Sequence, residues 1–407
     1  MTGPLSHLRV LELSRVLAGP WAAQTLADLG ATVIKVEKPG AGDDTRSFAP
    51  PYVTTSDGRQ TSESAYFLSA NRGKRSVTID FVHPDGQKLV RALAAKSDVV
   101  LENFKVGGLA KYGLDYASLR SLNPGLVYCS ITGFGQTGPY RHKPGYDFMI
   151  QGIGGLMSIT GEPDGHPGGG PMKAGVAVAD IFTGLYATVA ILGALAHRER
   201  SGEGQQIDLA LLDAQVAVLA NQAMNYLVSG VAPQRIGNAH PNIVPYQVFA
   251  ASDGHIIVAV GNQNQYARLC EVAGHAELIS DERFATNPSR VHHREELCAI
   301  LSAIFATRTR HQWLDALEGA GIPCGPINTI ADVFADPQVQ ARGTRLDLPH
   351  PVAGSVPSVA NPIKYSATPI SYRSAPPMLG ADTDEVLGDM LGIAPAEIER
   401  MRRAGII

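Results

Sequence analysis

Residues 8–37 read LRVLELSRVLAGPWAAQTLADLGATVIKVE, and this stretch decides the fold. The apolar run 8–13 predicts a strand, because its side chains can fill both faces of a buried sheet. Small and apolar residues at helical spacing over 19–31 predict a helix, and Gly30 is typical of a helix end. The β-branched run 32–37 predicts a second strand, so the stretch forms a strand–helix–strand unit.

The same alternation continues through the first third of the chain. Further elements are predicted as strands at RSVTIDF (75–81), VVLEN (99–103) and LVYCSIT (126–132), with a helix over 84–96. This order predicts an α/β fold with a doubly wound parallel sheet and helices on both faces. Ligands bind such sheets beyond the carboxyl ends of their strands.

The composition and the order of predicted elements change at 218–330. This range combines a long helix, a Pro-containing loop, a strand at 255–261 and helices rich in Arg and Glu. We therefore expect a smaller α+β domain with its linkers at 218–330. The large domain is expected to contain residues 1–217 and 331–407.

Composition narrows the function classes. The 407 residues carry a net charge of −4, so the chain lacks the basic character of nucleic-acid-binding proteins. The four cysteines form no CxxC pair, which predicts neither a zinc site nor disulfides and fits a reducing cytoplasm. No secretory leader is recognised, and the apolar run 181–196 is shorter than the ~20 residues of a membrane span. We expect a cytoplasmic protein with no metal and no nucleic-acid or membrane partner, and a buried core helix at 181–196.

Residues 178–184 read VADIFTG, and Asp180 is the only acidic or basic residue between Lys173 and His197. One interpretation is structural, because an Asp at a helix start accepts a hydrogen bond from a backbone N–H group. The other interpretation is chemical, because a poorly solvated carboxylate can act as a nucleophile. The residues of this segment alone leave both interpretations open.

Polar loops follow several of the predicted strands. Lys38 and Arg46, after the second strand, suit a negatively charged ligand. Residues at and after the carboxyl end of the strand at 99–103 suit an adenine ring and its phosphates; they are Asn103, Phe104, Lys105 and Lys111. The first turn has Gly19 alone in place of a G-x-G-x-x-G fingerprint, so an NAD site is disfavoured.

These segments match one family along nearly the whole chain. The matching stretches are RVLAGPWAAQTLADLGATVIKVEKPGAGDDTR, NRGKRSVTIDF, VLENFKVGGLAKYGL, SITGFGQTGPY, VADIFTGLYA, HRERSGEGQQIDLALLDAQ, VAVGNQNQY and PMLGADTDEVL. The chain resembles the class III CoA-transferases, also called the formyl-CoA transferase or CaiB/BaiF family. The resemblance implies a Rossmann-like large domain, a smaller domain, and a homodimer whose two subunits interlock like chain links.

The resemblance also implies a set of site residues. Asp180 matches the catalytic aspartate of the family. The family's CoA contacts match Val16, Ala18, Lys38, Asn103, Phe104, Lys105 and Lys111. Leu17 stands where formyl-CoA transferases have Gln, Lys38 and Lys111 replace arginines, and GNQNQY (261–266) replaces a glycine-rich lid. Acyl-CoA is implied as a substrate, with no permanently bound cofactor.

Four further stretches are most similar to the branch of the family that transfers CoA from succinyl-CoA to glutarate. They are GPINTIADVFADPQVQ, GNAHPNIVPYQVF, SANRGKRSV and GDDTRSF. This similarity implies a dicarboxylic acid as the acceptor. Arg46 and Arg72 are then candidate contacts for its distal carboxylate, and His240 is a candidate pocket residue.

The mechanism that the family implies is covalent. Asp180 attacks the thioester to form a mixed anhydride, and the CoA thiolate converts this to an aspartyl-CoA thioester that the acceptor attacks. Ile181 and Phe182 are expected to exclude water. α-Methylacyl-CoA racemases resemble this chain but have a His in the place of Tyr146, so proton transfer is disfavoured. A formyl-CoA-type or carnitine-type transferase and a CoA-binding module without activity remain as alternatives.

Overall fold

The structure is a computed structural model, and it describes residues 3–55 and 57–407. The chain divides into two compact units. The first contains Met1–Gly154, Gly175–Val218 and Pro337–Ile407, and the second contains Gly155–Ala174 and Leu219–Asp336. Residues 155–174, which the sequence analysis assigned to the large domain, group with the second unit. They do so through local contacts there, such as the bond from the Gly237 N–H to the Gly161 carbonyl oxygen at 3.1 Å.

The strand–helix–strand unit predicted at 8–37 is present as β1, α1 and β2. The strands in chain order are β1 (Arg9–Glu12), β2 (Thr32–Glu37), β3 (Tyr52–Thr54), β4 (Gln60–Ser64), β5 (Lys74–Thr78), β6 (Val99–Glu102), β7 (Val127–Thr132), β8 (Gln206–Ala210), β9 (Tyr246–Ala251), β10 (Gly254–Ala259), β11 (Cys324–Pro326), β12 (Arg345–His350) and β13 (Gly354–Val359). The helices are α1 (Ala18–Asp28), α2 (Ala65–Ala70), α3 (Pro84–Ala95), α4 (Tyr116–Arg120), α5 (Asp147–Ile153), α6 (Leu156–Ile159), α7 (Val178–Ser201), α8 (Leu211–Ala217), α9 (Ala220–Ser229), α10 (Gln263–Ala273), α11 (Asn287–His292), α12 (Arg294–Phe305), α13 (Arg310–Gly319), α14 (Ile330–Ala335), α15 (Pro337–Ala341), α16 (Thr383–Leu391) and α17 (Pro395–Arg403).

The first unit is built on a parallel sheet. Within the described residues, six strands pair in the order β5–β2–β1–β6–β7–β8, and every pairing is parallel. Val10 and Val33 pack with α1 and α7 on one face, whereas Leu11 and Ile34 pack with α3 and α16 on the other. Helices thus cover both faces, as the apolar strands require. The prediction of an α/β fold with a parallel sheet is confirmed.

Helix α7 carries Asp180 and spans 24 residues. Its length and apolar composition would suffice for a membrane span, yet it packs against α1, α5, α8, β7 and β8. A Cβ added at Gly184 would lie 2.7 Å from the carbonyl oxygen of Ala18, so glycine is needed where α1 and α7 cross. The opposite face is exposed, and Val189 is 65% accessible. The predicted core helix at 181–196 is therefore longer than expected and is buried on one face only.

The second unit has a core of its own. Among its described residues, β9, β10 and β11 form an antiparallel sheet in the order β11–β10–β9. The core includes Trp313, whose ring centre lies 4.8 Å from that of Phe305 and whose indole N–H donates to the Phe305 carbonyl oxygen at 2.8 Å. This unit therefore combines helices with an antiparallel sheet.

A network of buried charges lies beneath the carboxyl ends of β1 and β2. Lys35 Nζ lies 2.8 Å from Asp43 Oδ2 and 3.4 Å from Glu12 Oε1, and Lys74 Nζ lies 2.8 Å from Glu12 Oε2. Burial alone would raise the pKa of Asp43, but Lys35 outweighs it and holds that pKa at about 2. Lys35 also donates to the Ser14 carbonyl oxygen at 2.9 Å, which ties the network to the turn after β1.

Replacing Lys35 by Met should lower the free energy of unfolding by about 3–5 kcal/mol, because two buried carboxylates lose a partner. Urea unfolding followed by circular dichroism measures the change. Lys88, whose pair with Asp85 is exposed, is the matched control, and Lys88→Met should change stability by no more than ~0.5 kcal/mol. Equal stability of the two variants would contradict a structural role for the network.

Candidate functional site

The carboxyl ends of β1, β2 and β6 meet at the switch point of the sheet. β1 lies between β2 and β6, so successive strands are added first on one side of it and later on the other. Asn103 bridges this point: its Oδ1 accepts from the Arg15 N–H at 2.9 Å, and its Nδ2 donates to the Arg15 carbonyl oxygen at 2.7 Å. Parallel α/β sheets bind ligands at such a point.

A cavity of about 380 Å³ opens at this edge, and Arg15, Lys38, Asp43, Phe81 and Phe104 are among the residues that line it. The rings of Phe81 and Phe104 meet edge to face with their centres 5.6 Å apart. The guanidinium carbon of Arg15 lies 5.5 Å from the ring centre of Phe104. An aromatic wall with nearby cations suits a flat base that carries phosphates. The structure thus brings Lys38 and Phe104, both predicted from the sequence, to one cavity.

The turn after β1 has a strained backbone. Val16 has a φ of +71°, which a β-branched residue rarely adopts. Its N–H donates to Asp43 Oδ1 at 3.2 Å, and the same oxygen accepts from the N–H and the hydroxyl of Thr45 at 2.9 and 2.8 Å. Ala18 begins α1 behind this turn and is buried. The loop that carries Asp43 therefore holds Val16 at the switch point.

Neither Lys105 nor Lys111 is among the described residues that line this cavity. Lys105 lines a second, smaller cavity of about 50 Å³ together with Glu102. Burial raises the pKa of Glu102 to about 7, although Glu102 accepts a hydrogen bond from the Phe104 N–H at 2.7 Å. Lys111 is exposed, with its Nζ 4.7 Å from the ring centre of Tyr112. Their contact with a phosphate stays a prediction.

Asp180 is the third residue of α7, and it does not cap that helix. The N-cap residue is Ala177, whose side chain makes no capping hydrogen bond. The Ala179 N–H, one of the donors left open at the helix start, donates to Asp147 Oδ1 at 2.9 Å. The capping interpretation of Asp180 is therefore wrong, because an aspartate 32 residues away fills that role.

The Asp180 carboxyl is poorly solvated and has a negative neighbour. Burial raises its pKa, the charge of Asp147 adds to the rise, and the pKa reaches about 7. A carboxyl that titrates near neutral pH at a partly buried helix start is typical of functional sites.

Two glycines fix the turn that leads to Asp147. A Cβ added at Gly133, directly after β7, would lie 2.6 Å from the Gly145 Cα, and one added at Gly145 would lie 2.4 Å from the Gly133 Cα. No larger residue fits at either position without moving the backbone. The GFGQTGP loop thus holds the 145–147 turn by direct backbone contact.

The sequence analysis missed Tyr66, on α2, whose phenol interacts electrostatically with Asp180 and with Asp43 of the larger cavity. Burial raises the pKa of its phenol, and the charges of Asp180, Asp147 and Asp43 raise it further. Tyr66 therefore lies within electrostatic reach of Asp180 and of a residue that lines the larger cavity. Its sequence context, SAYFLSA, contains no recognised motif that would have singled it out.

Arg46 and Arg72 are held in ion pairs inside the first unit. Arg46 donates to Glu37 from Nε and Nη2, both at 2.8 Å, and stacks 3.7 Å from the ring centre of Phe67. Arg72 donates to both carboxylate oxygens of Asp28, at 2.9 and 2.6 Å. These contacts give both arginines a structural role, and their contact with an acceptor acid stays a prediction. Glu37, which an NAD site would use for the ribose, is engaged in the same way.

His240 belongs to the second unit. Its ring centre lies 5.2 Å from that of Tyr246, and its Nδ1 accepts from the Asn242 N–H at 3.1 Å. Burial lowers the pKa of the imidazole, and Arg294 lowers it further. Its place in an acceptor pocket stays a prediction. In the part of the chain that the structure describes, neither His240 nor any other residue belongs to a group of three His, Cys, Asp or Glu that could hold a metal ion.

Comparison with known proteins gives a consistent result. The model of a family described as CoA-transferase family III matches residues 5–383. The succinate–glutarate CoA-transferase of Agrobacterium fabrum is 57% identical over 387 residues, which cover 95% of this chain and 96% of that protein. The succinyl-CoA:glutarate CoA-transferase of Mus musculus is 45% identical over 404 residues, covering 99% and 90%. The crystal structure of a CaiB/BaiF family protein from Brucella suis is 53% identical, with a TM-score of 0.83 and coverage of 96% and 100%.

Replacing Arg46 by Ala should lower the free energy of unfolding by about 3–5 kcal/mol, because Glu37 would keep a buried charge without its main partner. Urea unfolding measures the change. Arg59, whose pair with Asp57 is exposed, is the matched control, and Arg59→Ala should cost less than ~1 kcal/mol. An Arg46→Ala variant of unchanged stability, with a raised KM for the acceptor acid alone, would instead support the role predicted from the sequence.

Proposed function

The chain belongs to CoA-transferase family III, and we propose that it transfers CoA from succinyl-CoA to glutarate or a closely related dicarboxylic acid. The observation that supports this choice of substrates is the similarity of nearly the whole chain to two transferases whose names contain succinate or succinyl-CoA and glutarate. Their sequences are 57% and 45% identical to this chain. In this proposal acyl-CoA enters and leaves as a substrate, and no permanently bound cofactor takes part.

The larger cavity is the proposed site for the nucleotide end of CoA. Phe104 and Phe81 offer an apolar surface to the adenine ring, and Lys38 and Arg15 offer cations to the phosphates. At the switch point beside them, Val16 belongs to a turn with a strained, fixed backbone, which supports a contact through main-chain groups. The remaining proposed CoA contacts are Ala18, Asn103, Lys105 and Lys111.

Asp180 is the proposed nucleophile. Its carboxylate attacks the thioester carbonyl of succinyl-CoA and expels the CoA thiolate, which gives an aspartyl–succinyl anhydride. The thiolate attacks the aspartyl carbonyl, succinate leaves, and CoA is then held on Asp180 as a thioester. A glutarate carboxylate attacks this thioester and expels the CoA thiolate, which gives an aspartyl–glutaryl anhydride. The thiolate attacks its glutaryl carbonyl, which releases glutaryl-CoA and regenerates the Asp180 carboxylate.

The acyl intermediates survive only if water is excluded. Phe182, beside Asp180, is 38% exposed in the single chain, so it does not seal the site by itself. An apolar stripe continues at helical spacing along α7; its members are Phe182, Leu185, Tyr186 and Val189. Soluble monomers rarely leave a large apolar patch uncovered. We propose that a second copy covers this stripe and that the two subunits form an interlocked homodimer in the cytoplasm.

Incubation with succinyl-CoA and glutarate should yield glutaryl-CoA and succinate, which mass spectrometry detects. Asp180→Asn should reduce turnover by about a thousandfold or more while CoA binding by calorimetry stays nearly unchanged, because only the nucleophile is lost. Asp85→Asn, at an exposed carboxylate, is the control and should keep wild-type turnover. Exchange of an α-proton of an acyl-CoA with deuterated water, without CoA transfer, would indicate a racemase instead.

Replacing Val189 by Asp should weaken self-association, because an unpaired carboxylate would be buried in the dimer at a cost of several kcal/mol. Sedimentation velocity over a range of concentrations measures the effect. Leu122→Asp is the control, since Leu122 is an exposed apolar residue outside the α7 stripe, 49% accessible. A wild-type chain that sediments as a monomer, or a Val189→Asp chain that associates like the control, would refute the proposed interface.

A further inference from the structure

Asp147 is a charged group that the proposed chemistry leaves unused. It lies in the Gly145–Tyr146–Asp147 stretch, at the start of α5. Both of its carboxylate oxygens are engaged. Oδ1 accepts from the Ala179 N–H at 2.9 Å, and Oδ2 accepts from Gln151 Nε2 at 2.8 Å.

These bonds connect Asp147 to the residue that directly precedes Asp180. Gln151, one turn along α5, sets the orientation of the Asp147 carboxylate. The contact between Gly133 and Gly145 sets the position of the turn before it. The backbone at the start of α7 is therefore anchored to the sheet through Asp147, and Asp180 is held with it.

Asp147 is also the charged residue that acts on Asp180. The phenol of Tyr66, on α2, interacts electrostatically with both carboxyl groups, and it carries no charge at neutral pH because its pKa is raised. On α7 itself the next basic groups are His197 and Arg198, several turns away. The other ionisable residues on elements packed against α7 are Asp28 on α1, Tyr128 and Cys129 on β7, Asp208 on β8 and Asp213 on α8. None of these is among the groups that shift the pKa of Asp180.

We propose that Asp147 is the positioning residue of the nucleophile, and that its negative charge favours the acylated, uncharged state of Asp180 over the free carboxylate. The inference rests on the proposed function, in which Asp180 alternates between those two states. Two like charges in poorly solvated surroundings repel each other, and acylation of Asp180 removes one of them. Asp147 thus raises the equilibrium share of the aspartyl-CoA intermediate while it holds the nucleophile in place.

The pH dependence follows from the same repulsion. Because the pKa of Asp180 is raised to about 7, its reactive carboxylate form increases as the pH rises through that value. Removing the charge of Asp147 lowers the pKa of Asp180, so the acid limb of the rate profile moves to lower pH.

Two variants separate position from charge. Asp147→Asn keeps an oxygen acceptor for the Ala179 N–H but removes the charge, whereas Asp147→Ala removes both. Titration of ¹³C-carboxyl-labelled aspartate by NMR, with Asp180→Asn to identify the signal, should show the Asp180 midpoint lower by about one pH unit in both variants. The acid limb of kcat should move by the same amount, and less aspartyl-CoA should accumulate with succinyl-CoA alone.

Asp147→Ala alone should also lose the anchor. Its segment 178–182 should exchange amide hydrogens faster than the wild type, and kcat should fall by about a hundredfold with little change in the KM of succinyl-CoA. Thr309→Ala, which removes the capping residue of α13 in the second unit, is the matched control and should leave the midpoint and the exchange of 178–182 unchanged.

An Asp180 midpoint that is the same in both variants and the wild type would overturn the role of the charge. Unaltered exchange and kcat in Asp147→Ala would overturn the positioning role. If the wild-type chain transfers no CoA between dicarboxylic acids, the proposed function fails. The NMR midpoint and the hydrogen exchange still decide the role of Asp147 in that case, because neither measurement requires turnover.

Discussion

Lys35 is a full positive charge that lies in the central sheet without access to water, and the edge of the sheet with the candidate site depends on it. A buried cation is stable only where acceptors surround it, so the positions of Asp43, Glu12 and the Ser14 carbonyl are constrained together. Asp43 in turn accepts a hydrogen bond from the Val16 N–H, and this bond holds the strained turn in place. A charge that is needed for stability therefore also fixes the backbone at the switch point.

Hydrogen bonds also connect this edge of the sheet to segments that are distant along the chain. Arg46 donates to the Pro377 carbonyl oxygen at 3.0 Å while it pairs with Glu37. The Gly380 N–H donates to Ser76 Oγ at 2.8 Å, so the C-terminal segment is bound to β5. In this network every buried acid has a cationic partner. Around Asp180 the charges are not balanced, because Asp147 has the same sign. Lys35 thus stabilises the scaffold through paired charges, whereas Asp180 lies beside a like charge.

The sheet could be predicted because strands that are buried on both faces are nearly continuous apolar runs, which can be recognised in the sequence. Residues 155–174 were assigned to the large domain although they group with the second unit, since their contacts, such as that between Gly161 and Gly237, join positions far apart in sequence. The same limit applies to the ion pairs of Arg46 and Arg72, because their partners Glu37 and Asp28 can be identified only in space. It also explains the capping interpretation of Asp180, because Asp147 becomes the better candidate only when α5 and α7 are seen side by side.

The contact between Gly133 and Gly145 contains no side chain at either position. The place of Asp147, and through it of Asp180, is thus set by main-chain atoms that residue exchanges elsewhere in the 134–144 loop leave in position. Side chains within the 134–144 loop can therefore change without moving the carboxyl group of Asp180. The two glycines thus make the position of the proposed nucleophile depend on the backbone of this loop and not on the side chains that the loop carries.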